Sequence, residues 1–200
     1  MKKQPKTIIF DFDGVLVDTY QIVYGINKQS DPQISEEEFR AMFDVNFYNS
    51  KRPREPKFSI DFYKEFLKYE ENIVIHEQNR LTLKNLSKEN TLSINSSNIN
   101  DIVGRVLNNN KALNFFSKLY GVDIHKSKVE KFKMIFSDFK TTPDKCLFVS
   151  DTVGDILEAR EVGIKSLAYV GFESFHPKDY IKQAKPYGYI ENLSEIEGFI

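Results

Sequence analysis

Two stretches of this chain read as strands buried on both faces, and each runs straight into aspartate. The first is KTIIFDFDGVLVDT, from Lys6 to Thr19. Its run Thr7 to Phe12 is apolar until Asp11, and Asp13 and Gly14 then break it. The second is KCLFVSDTVGD, from Lys145 to Asp155. Unbroken apolar runs without polar alternation mark strands sealed between two helical layers, the pattern of a parallel sheet.

The segments around them alternate in the same sense. Thr91 to Asn95 (TLSIN) predicts a strand, Ile99 to Asn108 a helix, and Tyr120 to Ile124 a strand. Ser127 and Glu130 make a capping-box pattern at the head of a helix from Lys128 to about Phe139. A helix from Ile156 to Val162 closes at Gly163, and Lys165 to Gly171 predicts another strand. The tail adds a helix near Lys178 to Ala184, a short strand at Tyr189 and Ile190, and a last helix from Ser194. Strand alternating with helix argues a doubly wound, Rossmann-like α/β parallel sheet.

Between the first two strands the pattern is helical from about Asp18 to Leu86. Ser35 offers an N-cap before Glu36, Glu37 and Glu38, with Phe39, Met42 and Phe43 at helical spacing. Ser59 opens a second helix with Phe62, Phe66 and Leu67 on one face, and Ile73 to Leu86 makes a third. KRPREPK between the first two is basic and broken by proline, hence a loop. The block is too long for an ordinary crossover, so it predicts an inserted helical cap domain over residues 18–87. The α/β core is then 1–17 with 88–200.

Composition narrows the classes. The chain has 200 residues, 28 Lys and Arg against 29 Asp and Glu, and a formal net charge of -1, a balance that does not point to a nucleic-acid surface. The single cysteine, Cys146, sits in an apolar setting and makes no internal disulfide. No stretch approaches a membrane span, and the N-terminal apolar run is too short for a signal peptide. The expectation is a cytoplasmic protein, a monomer or weak homodimer, acting on a small molecule without nucleic-acid or membrane partners.

In open parallel sheets ligands sit beyond the carboxyl ends of the strands. Asp11 and Asp13, two apart on an extended chain, point the same way. If the strands that end in Asp11 and Asp151 are neighbours, four carboxylates converge: Asp11, Asp13, Asp151 and Asp155. Packed acids repel and take up protons. A hard divalent cation relieves that, and Mg²⁺ prefers oxygen ligands while leaving room for a phosphate. One of the carboxylates can also serve as a nucleophile and form an acyl phosphate.

DFDGVLVDT, Ser96, Lys128 and VSDTVGD resemble, in order, the four motifs of the haloacid dehalogenase-like superfamily of phosphohydrolases. The first is highly specific and the last strong; the middle two are single residues. The resemblance implies Asp11 as nucleophile and Asp13 as general acid and base. It implies Ser96 and Lys128 at the phosphate. Mg²⁺ would be held by Asp11, Asp151 and the Asp13 carbonyl, with Asp155 as ligand or support. The insert matches the family's C1-type cap. Ser97 and Asn95 compete with Ser96, and Lys126 and Lys131 with Lys128. Asp18 matches a recurrent acid with a hinge or helix-cap role, and Arg52 and Arg54 are candidates to clamp an anion. His76, His125 and His176 lack metal-ligand spacing. The implied function is a Mg²⁺-dependent phosphatase for a small phosphorylated metabolite. The rivals are a phosphomutase resembling β-phosphoglucomutase and a non-enzymatic phosphoacceptor. Asp13 speaks against a dehalogenase.

Overall fold

A computed structural model describes residues 6–46 and 60–200. Six strands form one parallel sheet in the order β3-β2-β1-β4-β5-β6. They are β1 (Thr7–Phe10), β2 (Thr91–Asn95), β3 (Lys118–Tyr120), β4 (Cys146–Ser150), β5 (Lys165–Tyr169) and β6 (Gly188–Ile190). The chain therefore leaves β1 toward β2 and β3 on one side, then returns to build β4, β5 and β6 on the other. The reversal lies between β1 and β4, which pair with Thr7 opposite Cys146 and Phe10 opposite Val149.

The two central strands are apolar throughout because both faces are covered. Ile8 and Phe10 of β1 join Leu147 and Val149 of β4 in one core. Ile9 joins Phe148 and Cys146 in a second core on the other face, closed by Phe132 and Ile135. Alternate residues thus feed opposite layers, as the pleat requires. Phe132 and Phe148 meet edge to face across that second layer, with ring centroids 5.0 Å apart. Cys146 is buried and free.

Eight α-helices are present among the described residues. Between β1 and β2 come α1 (Tyr20–Ser30), α2 (Glu36–Ala41), α3 (Phe62–Leu67) and α4 (Glu77–Leu86). Ser35 caps α2 as the sequence indicates, exchanging hydrogen bonds with Glu38 in a full capping box. Helix α4 begins four residues after the expected Ile73, and it packs on the C-terminal 3-10 helix Leu193–Gly198. The other four are α5 (Asn100–Asn109), α6 (Lys128–Asp138), α7 (Val153–Glu161) and α8 (Lys178–Ile181).

Some boundaries differ from expectation. β3 precedes the expected Tyr120–Ile124, because Leu119 and Tyr120 pair with Ile94 and Asn95 while the chain turns at Gly121. The Ser127 hydroxyl accepts from the Glu130 amide. Glu130 itself turns to Lys133, so that capping box is half made. Gly163 ends α7 with φ +81, a conformation that favours glycine.

Candidate active site

The sheet's reversal point puts the carboxyl ends of β1 and β4 side by side. Past Phe10, the Asp11 amide still bonds the Val149 carbonyl at 2.9 Å, so Asp11 is held in the ladder and its carboxylate faces out of the strand end. The chain then turns sharply at Gly14, φ +75, and a bridge joins Asp13 to Val17. A side chain on Gly14 would meet an Asp151 carboxylate oxygen at 2.1 Å. That glycine is what lets the first aspartate loop approach the second.

Asp11 and Asp13 both face a cavity of about 510 Å³, together with Lys128, Asp155, Thr152, Ser97 and Asn98. Lys128 is the hub. Its amine lies 2.8 Å from Asp11 Oδ2 and 2.5 Å from Asp155 Oδ2, and its side chain is 2% exposed. Lys128 heads α6, where the helix dipole disfavours a cation, and two carboxylates answer it. Burial opposes the charge on that amine, but Asp11 and Asp155 outweigh it and hold its pKa above the ordinary value. Asp155 also accepts from the Ser150 hydroxyl at 2.8 Å. Burial pushes Asp155 up, yet Lys128 and its hydrogen bonds leave it net lowered. Asp11 goes the other way: burial raises it beyond what Lys128 offsets.

Asp13 is held from two sides. The Thr19 hydroxyl donates to Oδ1 at 2.8 Å and the Asn98 side-chain amide to Oδ2 at 3.4 Å. Burial nonetheless raises its pKa, which favours a carboxyl able to carry a proton. Asp151 is fully buried. Its Oδ2 accepts from the Phe175 amide at 2.6 Å, while Oδ1 has no hydrogen-bond partner among the described residues. Burial, with repulsion from Asp155, pushes it up to about 8.

Among the described residues no three His, Cys, Asp or Glu side chains make a ready metal cluster, since Lys128 stands between Asp11 and Asp155. The chemistry still fits a hard cation beside Asp11 and Asp151. The donors are oxygens, and among the described residues the buried Asp151 Oδ1 accepts no hydrogen bond.

The competing candidates separate by placement. Ser97 lines the cavity; Ser96 is fully buried, its hydroxyl accepting from the Asn98 amide at 2.9 Å. Ser96 does not cap α5, whose N-cap is Ile99. Asn95 points away from the cavity and donates to the Lys128 carbonyl. Lys131 is buried and donates to the Ser96 carbonyl at 2.5 Å, bracing the loop that carries Ser97. Burial and the neighbouring Lys128 lower its pKa to about 7. Lys126 lines the cavity rim. Asp18 is exposed, and the N-cap of α1 is Thr19. Arg52, Arg54, Ser59 and the KRPREPK loop lie outside the described residues.

His176 is buried, accepting from the Val153 amide and contacting the Arg40 carbonyl at 2.9 Å, a structural role. His125 accepts from the Ser127 amide, and His76 lies 3.7 Å from Glu173. Thr19, Asn98, Ser150 and the Phe175 amide escaped the sequence reading. Their roles depend on contacts across the fold, and only Gly14, directly after Asp13, carried a local signal.

A model of the family described as haloacid dehalogenase-like hydrolase matches residues 8–169. "Putative pyrophosphatase PpaX" from Caldanaerobacter subterraneus subsp. tengcongensis is 24% identical, over 94% of this chain and 91% of its own length. A haloacid dehalogenase-like hydrolase from Streptococcus pneumoniae superposes with a TM-score of 0.77 at 19% identity, covering 98% of both chains. A structure titled "predicted phosphoglycolate phosphatase" from Haemophilus somnus gives 0.72 at 22% identity, covering 100% of this chain and 99% of that one. With its motifs gathered at the reversal of a six-stranded parallel sheet, this chain belongs to the haloacid dehalogenase-like hydrolases.

Proposed function

We propose that the protein is a Mg²⁺-dependent phosphatase working through a phosphorylated Asp11, with the helices between residues 18 and 87 serving as its cap. The observation that carries this is the pairing of Asp11 with Asp13 in the lining of one cavity. One carboxylate is buried against a lysine and the other is held by Thr19 and Asn98.

The two acids divide the work. An Asp11 oxygen attacks phosphorus, the phosphorus–oxygen bond to the leaving group breaks, and the Asp13 carboxyl gives its proton to the departing alkoxide. Asp13, now a carboxylate, takes a proton from water as that water attacks the phosphoryl group and frees Asp11. Asp13 suits this exchange because burial raises its affinity for the proton while two hydrogen bonds fix its direction. Lys128 and the Ser97 loop meet the phosphoryl oxygens. Asp11, Asp151 and the Asp13 carbonyl would hold Mg²⁺, which when bound offsets the repulsion between an anionic attacker and an anionic ester. Asp155 anchors Lys128.

The test is inorganic phosphate release from a panel of phosphate monoesters, with Mg²⁺ and with EDTA. Release that needs the metal supports the reading. Conversion of a hexose 1-phosphate without phosphate release would replace it with a phosphomutase.

A further inference from the structure

The cavity above the carboxylates has walls of a particular kind. One wall is built by the insert: Val23 and Ile26 of α1, Phe43 after α2, and Phe62 of α3. The facing wall comes from the sheet side, with Ile99 and Val122. The charged groups gather at the floor and the rim. Lys128 at the floor is already engaged by Asp11 and Asp155, and Lys126, Asp123 and Asp61 sit at other margins.

A site for a sugar or a hydroxy acid needs polar groups spaced to match each hydroxyl or carboxylate, since an unmatched buried polar group costs binding. Among the described residues, the walls away from the phosphoryl position are mainly aliphatic and aromatic; Asn27, whose amide is spent on the Val23 carbonyl, Ser30 and the Tyr63 hydroxyl are the polar groups of the insert wall, and a cavity of about 510 Å³ is the size of a drug-like ligand. A phosphoryl group on a two-carbon stub would leave most of that apolar surface in contact with water.

Resting on the phosphatase reading, we propose that the substrate is a phosphate monoester whose leaving group is an uncharged apolar chain or ring. The insert wall and the Ile99–Val122 wall grip that group while its phosphate sits at Asp11.

A series of straight-chain alkyl monophosphates tests this, because leaving-group acidity stays nearly constant while apolar area grows. From ethyl to octyl phosphate, kcat/KM should rise about two- to fourfold per methylene, as burial of each CH₂ would give. Phe62→Ser should flatten that slope, and an unchanged slope would count against the insert wall. The matching alkylphosphonates, which cannot be hydrolysed, should bind the native protein more tightly with length in calorimetry. Phosphate release that is flat along the series, or fastest on a sugar phosphate, overturns the inference and leaves the phosphatase reading standing. No release from any ester overturns that reading. The phosphonates then decide the ligand class alone: affinity rising with length supports it, and affinity independent of length ends it.

Discussion

Lys128 shows how a single side chain can fix a site. Its amine is shared between Asp11 and Asp155, all three nearly shut off from water. Removing one partner of a buried ion pair leaves an uncompensated charge and costs about 3–5 kcal/mol. Lys128→Met should therefore lower stability by that order in denaturant unfolding, as well as stopping turnover. Asp13→Asn keeps the shape and loses the proton. It should fold normally and reduce phosphate release about a hundred- to ten-thousandfold. The aspartates stood out because they end apolar strands at a recognisable spacing; Lys128, a single residue with Lys126 and Lys131 as rivals, stayed open until the fold set it between Asp11 and Asp155. Asn98 and the Phe175 amide were not legible, because each acts on an aspartate far away in sequence, at Asp13 and Asp151. Ser96 against Ser97 could not be separated either. Adjacent residues in a turn face different ways, and only the fold shows which one meets the cavity.

At the scale of elements, the strands were easier to read than the connections. TLSIN is β2 from end to end, with Leu92 to Asn95 buried. β3 was misplaced, because a three-residue edge strand carries little pattern and Gly121 ends it early. How the insert meets the sheet was invisible. It docks through Gly154 at the head of α7, whose amide bonds the Phe43 carbonyl at 2.8 Å; a Cβ there would lie 2.7 Å from the Val45 backbone. Arg40 reaches the Phe175 carbonyl, His176 contacts the Arg40 carbonyl, Tyr180 donates to Asp44 and Asn46 donates to Glu158, so the same segment is fastened at several points. Gly154→Val should push that segment off α7, raising KM and lowering Tm while the sheet stays folded by circular dichroism. Helix α6 carries a second testable device. Burial and the neighbouring Lys128 lower the Lys131 amine to about 7, against 10.5 for an ordinary lysine. Between those values the unfolded chain binds the proton and the native state does not, so this group adds stability as pH rises from 7 toward 10.5. Lys131→Met should remove that upward slope in unfolding measurements at pH 6 and pH 9.

For the molecule as a whole, the reversal between β1 and β4 matters most. It converts two distant sequence motifs into one site and leaves Asp151 with a proton affinity set by burial. A group with a pKa raised to about 8 is protonated in the native state well above its unfolded value. Its contribution to stability is therefore present at low pH and is lost as pH rises through 8. A cation at Asp151 displaces that proton, so Mg²⁺ should stabilise the fold more at pH 8.5 than at pH 6. At a hundred times its dissociation constant, a ligand adds about 2.7 kcal/mol. For a chain of this length each kcal/mol moves Tm by about 2–4 °C. The fold class was plain from two apolar strands ending in acids. What the leaving group must be was not, because the cavity walls come from α1, α3 and the Ile99 and Val122 loops at once.

In the proposed reaction everything turns on Asp11 as the attacking group. The most direct test of that role is the rate of phosphate release by Asp11→Asn beside the native protein, with Mg²⁺, on the best ester and at matched folding. Loss of all detectable turnover is the expected result. Turnover retained at the native rate would contradict the account and move the chemistry away from β1.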